Sequence, residues 1–236
     1  MARDGRSARA EPEATLSLVE LSVVLVTGQN DPSILNPDFL RYNGIVDEQT
    51  GTANPPISTP VFSQVAFENG LTVSADPARV IFAQHRNPLS EDKCLAPDAA
   101  KRYIEKMPHA PYSAIGINPK GFIPASERTS VRVADMLVDA GGWASFKDVL
   151  PDIHVKAIYN YEKRQIMLEV GGANTTDGDG PETPGLLFQA NIHRNVTETE
   201  EARRFETLLS IISAWRDDLA DFRNLVAKFK QEENTP

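Results

Sequence analysis

The sequence predicts an α+β fold: a curved antiparallel sheet of about eight strands, built as two pseudo-repeats of β-α-βββ-α, with helices on one face and a long C-terminal helix. Three observations carry that expectation. Short runs of alternating apolar and polar residues recur along the chain with turn residues between them. Helical periodicity is confined to residues 96–107, 131–140 and 198–230, with one weaker turn near residue 38. The order strand, turn-rich segment, three strands, helix runs twice, over residues 14–108 and 109–230, as one domain with no residue-level repeat to accompany it.

Residues 15–26 (TLSLVELSVVLV) place Val19, Leu21, Val23 and Leu25 on one face and Glu20 and Ser22 on the other, the alternation of a half-buried strand. Residues 28–46 (GQNDPSILNPDFLRYNGIV) are turn-rich yet threaded with Ile34, Leu35, Phe39, Leu40 and Tyr42, which a solvated loop would not need. Pro37 suits a first helical position, Asn36 a cap and Asn43-Gly44 a stop, so a short docked helix over 38–42 is expected. Residues 61–67 and 71–75 flank Glu68-Asn69-Gly70, and Asn-Gly predicts a type I′ hairpin turn. Asp76-Pro77 then leads into a third strand over 79–84, completing a meander.

Pro97 and Asp98 open a helix over 96–107 that Pro108 and Pro111 close. In the second half, residues 112–118 read as a strand, the stretch 116–121 (GINPKG) as a turn, and 131–140 as a helix stopped by Gly141-Gly142. Residues 153–161 put Ile153, Val155, Ala157, Tyr159 and Tyr161 opposite His154, Lys156 and Asn160, and pair with 164–170 across Glu162-Lys163. Residues 171–185 read as a flexible loop and 186–193 as the last strand. The final helix is the best specified. Thr197 and Glu200 form a capping-box pattern, and Phe205, Leu208, Ile212, Trp215, Leu219, Phe222, Val226 and Phe229 follow at spacings of three and four. At 1.5 Å per residue, one helix over 198–230 would be on the order of 50 Å long.

At 236 residues the chain can bury a core without metal or disulfide, and 41% hydrophobic with 24% charged residues is a globular balance. Residues 1–13 and 231–236 have almost no apolar content and are expected to be loose tails. The formal net charge of −9 opposes a phosphate backbone, so nucleic acid is a poor partner. The single cysteine, Cys94, excludes an intramolecular disulfide and a cysteine-built zinc site. No apolar run long enough to span a bilayer and no signal-peptide pattern is seen, so a cytoplasmic protein with no membrane partner is expected.

The chemistry-bearing patterns are sparse. His85, His109, His154 and His193 are far apart in sequence, but His154 and His193 lie on the polar faces of two strands and would meet if those strands were neighbours. Residues 174–180 (NTTDGDG) have oxygen side chains among glycines but lack the ligand spacing of a calcium loop. No nucleophile elbow, Walker loop or dinucleotide fingerprint is present, Cys94 reads as an incidental thiol, and no cofactor is expected.

The stretches PPISTPVFSQVAFENGLTVSADPARVIFAQ and PYSAIGINPKGF, with PSILNPDFL inside the 28–46 segment, resemble a family of uncharacterised bacterial proteins of similar length. That resemblance covers nearly the whole chain after the first residues and implies no activity, ligand or site. In element order alone the layout is similar to helix-grip and TATA-binding-protein-like folds, which host unrelated functions.

The expectation is therefore a non-catalytic protein-binding or assembly protein that engages a protein partner or its own copy, with Phe39, Tyr42, Trp215 and Phe222 as its interaction surface. The alternative is a small-molecule binder or enzyme with a pocket between the sheet and the C-terminal helix, where His154, Tyr159, Tyr161, Asn191 and His193 would supply polar groups.

Overall fold

The computed structural model describes residues 15–86, 89–124, 154–176 and 181–231. Residues 1–13 and 232–236 of the expected tails and the helix expected over 131–140 lie outside the described residues. Within them the chain is an α+β structure in which nine antiparallel strands form a single sheet in the order β2-β3-β4-β5-β1-β6-β9-β8-β7. The strands are β1 (Ser17–Thr27), β2 (Ile57–Ser58), β3 (Ser63–Ala66), β4 (Leu71–Asp76), β5 (Arg79–His85), β6 (Tyr112–Pro124), β7 (Val155–Asn160), β8 (Gln165–Thr175) and β9 (Thr183–Asn195). The helices are α1 (Pro37–Tyr42), α2 (Ala96–Lys106), α3 (Glu201–Ser213) and α4 (Trp215–Gln231). No helix among the described residues is long and apolar enough to cross a membrane.

Strands β1 and β6 lie side by side at the middle, and their inward residues Leu21, Val23, Leu25, Ile115 and Ile117 are fully buried under the helices. The start of β1 departs from simple alternation. A bulge between Leu18 and Glu20 leaves Val19 unpaired with β6, so Leu18 rather than Val19 joins the core. Strand β6 runs straight through the stretch 116–121 that reads as a turn. Pro119 has no N–H to give, and the ladder to β9 skips residues 118 and 119 without changing register, while pairing to β1 continues through Leu21 and Pro119.

The 28–46 segment is docked as expected. The Asn36 side chain accepts a hydrogen bond from the Phe39 N–H at 2.8 Å, capping α1, and Gly44 takes φ of +65° where the helix stops. Leu40, Ile45 and Val46 are buried, and Phe39 meets the Tyr103 ring of α2 edge-on at 6.2 Å. The β3–β4 hairpin exists, but its turn is not type I′. The Gly70 N–H reaches the Phe67 carbonyl and the Phe67 N–H the Leu71 carbonyl, so Glu68-Asn69 form the turn and Gly70 occupies the left-handed position after it. A Cβ at Gly70 would lie 2.7 Å from the His85 carbonyl oxygen, so β5 crowds the turn.

Two further expectations are corrected. Residues 171–175 and 183–185 of the expected loop are strand, because β8 and β9 stay paired out to Thr175 and Thr183, and residues 177–180 of it lie outside the described residues. The C-terminal helix is two helices, interrupted at Ala214, with α3 against α2 and β6 and α4 against β6 and β9. Its capping box does not form: α3 starts at Glu201 after Glu200, whose side chain makes no cap bond. The apolar stripe is continuous across the break. Leu208, Ile212, Trp215, Leu219, Phe222 and Val226 are all buried, so the heptad-like spacing serves the chain's own core. Gly121 shows how close the docking is, since a Cβ there would sit 3.4 Å from the Phe222 ring and closer still to Leu16.

Candidate functional site

The structure gathers its chemistry at the β7 end of the sheet. Glu162-Lys163 turn β7 into β8, and the Tyr161 N–H donates to the Arg164 carbonyl at 2.9 Å, closing the hairpin. Arg164 and Arg194 then converge on one carboxylate of α4. Asp218 is 0% exposed; Arg194 donates to both of its oxygens at 2.7 and 2.6 Å, and Arg164 donates at 3.2 Å. The other arm of Arg164 pairs with Asp221 at 2.6 Å, and its guanidinium lies 5.2 Å above the Tyr161 ring. Partial burial alone would lower the Arg164 pKa, but its hydrogen bond to Asp221 and the charges of Asp221 and Asp218 hold it above its ordinary value.

Beside this clamp lies an open cleft of about 1110 Å³ between the hairpin turn, the end of β9 and α3. Tyr161, His193, Glu198, Thr207 and Ser210 are among its lining residues. Glu198 accepts a hydrogen bond from the Thr207 hydroxyl at 3.0 Å, and its other oxygen is buried without a partner. The two arginines at the cleft are already matched by carboxylates, and Lys163 also lines it.

Of the residues that sequence offered for a pocket, Tyr161 and His193 line this cleft, whereas His154, Tyr159 and Asn191 do not. The two histidines share a face but not a neighbourhood. Gln165 pairs with His193 at one end of β8, while His154 lies over Gly171 six residues along it, a separation on the order of 20 Å. His193 instead engages the Asn195 side chain at 3.0 Å. The pocket is expected between the sheet and a single helix over 198–230; under the α4 half of that stretch lie the buried Leu219, Phe222 and Val226, whereas the cleft borders the α3 half.

Of the expected interaction surface, Trp215 and Phe222 are buried and therefore unavailable. Phe39 is spent on Tyr103, and only Tyr42, 89% exposed, stands free on the surface. Exposed apolar side chains occur at both ends of the sheet: Ile57 (48%), Val61 (69%) and Phe62 (38%) on the β2–β3 hairpin, and Ile158 (51%), Tyr159 (39%) and Tyr161 (53%) at β7, where Ile158 lies on one face and the two tyrosines on the other. β7 is an edge strand, and among the described residues no strand pairs with its far side. The opposite edge, β2, is only Ile57–Ser58, with Pro55, Pro56 and Pro60 around it, which is a protected edge.

Sequence reasoning missed a second polar cluster on the sheet face opposite the helices. Glu20 accepts from Lys120 at 2.8 Å and pairs with His85 at 3.2 Å. Burial would raise the Glu20 pKa, yet the hydrogen bonds and charges of His85 and Lys120 hold it below its ordinary value. Its signal, three facing positions on β5, β1 and β6, exists only once the strand order is known. Burial pushes the Cys94 thiol up to about 11, so it is inert as a nucleophile, and among the described residues no group of three metal-binding side chains occurs.

A comparison with protein-family models finds none that matches the chain, and a search of curated proteins finds no match.

Proposed function

We propose that the chain is a non-catalytic protein-binding or assembly protein that works by strand addition at the β7 edge. The observation that carries this reading is the combination of a six-residue edge strand, three exposed apolar side chains on and just beyond it, and an ion-pair clamp that fixes it to α4. Strand addition draws its affinity from backbone hydrogen bonds and its selectivity from alternating side chains, and both are presented there. The polar cleft beside it supports a second reading, a binder of a small polar molecule, because Tyr161 and His193 converge on it.

In the same reading the sheet is two pseudo-repeats. Support comes from the strand order, in which β5-β4-β3 flank β1 on one side as β9-β8-β7 flank β6 on the other. One buried thiol and no disulfide among the described residues support a reducing, cytoplasmic setting. Native mass spectrometry of protein purified gently from its source tests the function. A multiple of the chain mass, or a second protein, is the expected result. A lone chain with a discrete small adduct would replace strand addition by the cleft reading.

A further inference from the structure

The backbone of β7 fixes which groups face outward. Antiparallel neighbours alternate between hydrogen-bonded and non-hydrogen-bonded pairs. Because Tyr161 bonds to Arg164, the pairs of Tyr159 with Ile166, Ala157 with Leu168 and Val155 with Val170 are the bonded ones within the β7–β8 hairpin. Lys156, Ile158 and Asn160 therefore turn their N–H and C=O groups away from β8, toward the side of β7 on which no strand pairs among the described residues. A partner strand must satisfy these three residues.

We infer that the strand occupying the β7 edge is β7 of a second copy of this chain, paired antiparallel about a two-fold axis at Ile158. This inference rests on the strand-addition reading above and names its partner. In that register Ile158 faces Ile158 of the copy, Lys156 faces Asn160, Ala157 faces Tyr159 and Val155 faces Tyr161. Every outward backbone group then has a partner. Each bulky tyrosine meets a smaller residue, and each lysine meets an amide.

The two Lys156 charges stay four residues apart, on the order of 13 Å. Each is also already paired with Glu169 at 3.1 Å on its own protomer. Asn160 accepts from Gln165 at 2.7 Å, so a polar row from Glu169 through Lys156 would continue into Asn160 and Gln165 of the copy. Centring the axis on Lys156 instead would set like charges face to face, and centring it on Tyr159 would require Glu162, a turn residue, to act as strand. A second copy thus fits the edge by size, charge and hydrogen-bond parity together.

The seam is short, so the dimer belongs to the weak class, with dissociation in the micromolar range. Sedimentation velocity of the full chain from about 1 to 300 μM is expected to show a reversible monomer–dimer equilibrium. Ile158→Lys changes a half-exposed side chain and puts like charges directly opposite at the axis, so it is expected to raise the dissociation constant about tenfold or more. Ile158→Cys is expected to cross-link under mild oxidation, since facing residues in a bonded pair have Cα atoms about 5.5 Å apart, within disulfide reach. Tyr42→Cys, equally accessible but remote, is the control, and the buried Cys94 leaves a quiet background.

A monomer throughout that range, a dimer undiminished by Ile158→Lys, or cross-linking no better than that of Tyr42→Cys each overturns the inference. A monomer that carries a different protein in native mass spectrometry would overturn self-pairing and leave strand addition standing. A monomer carrying no protein would overturn both.

Discussion

Asp218→Ala gives the most direct test of how the β7 end is held. The carboxylate is fully buried and receives three hydrogen bonds, two from Arg194 and one from Arg164. Removing one partner of a buried pair costs about 3–5 kcal/mol, because the charges left behind lose their compensation. Here Arg194 and Arg164 keep 15% and 26% of their side-chain surface in contact with solvent, and Arg164 retains Asp221, so the lower end applies. About 3 kcal/mol corresponds to a fall in Tm of roughly 6–12 °C for a chain of this size. Urea unfolding followed by circular dichroism measures it, and a cycle with Arg194→Met isolates the pair. With Arg194 already replaced, Asp218→Ala is expected to cost at least about 1 kcal/mol less than alone. A loss below about 1 kcal/mol for Asp218→Ala in the wild-type background, or additivity in the cycle, would refute the claim that this network anchors the hairpin.

Asn36→Ala removes the α1 cap and is expected to cost about 1 kcal/mol in the same unfolding assay, with Asn36→Asp close to wild type. Gly70→Ala forces a side chain onto a left-handed residue against the His85 carbonyl and is expected to cost about 2 kcal/mol; a neutral result would mean that β5 yields there. For Glu20 the folded pKa lies below the ordinary value of 4.5, so its contribution to stability is full above that value and is lost as pH falls through the folded one. Glu20→Gln is therefore expected to flatten the pH dependence of stability below 4.5, read as unfolding midpoints on either side of that pH, and an unchanged slope would remove Glu20 from the acid response.

What could be read from the sequence was whatever local chemistry decides. The α1 turn, with Asn36, Pro37 and Gly44 in their expected places, needs only neighbours in sequence, as does the placement of most strands. The errors fall where distant partners decide. GINPKG carries the residues of a turn, but β1 supplies a continuous ladder on one side of Pro119, and the missing N–H costs only a gap on the other. The interruption at Ala214 has no proline or glycine beside it to announce it. The stripe of the final helices is as regular as a coiled-coil seam, yet a sheet with a matching apolar face consumes it, so Trp215 and Phe222 are core. The clamp was invisible because Arg164, Arg194 and Asp218 come from the β7–β8 turn, β9 and α4, and no spacing connects them.

These corrections move the candidate interaction surface from the helix to the edge of the sheet, and the clamp explains why that edge can serve. A strand at the end of a sheet, as β7 is among the described residues, has one strand partner, here β8, and would fray if the hairpin stood alone. Arg164, two residues beyond the turn's start, ties the hairpin to Asp218 and Asp221 on α4, whose other face is sunk in the core through Leu219 and Phe222. The edge therefore reaches a partner already extended, and less ordering entropy is lost when its three outward residues are paired. The same rigidity in a solitary protein would leave a flat, apolar strand open to indiscriminate pairing. Lys156 limits that hazard, since any register that sets it against another lysine or buries it against an apolar strand is penalised, and the register centred on Ile158 does neither.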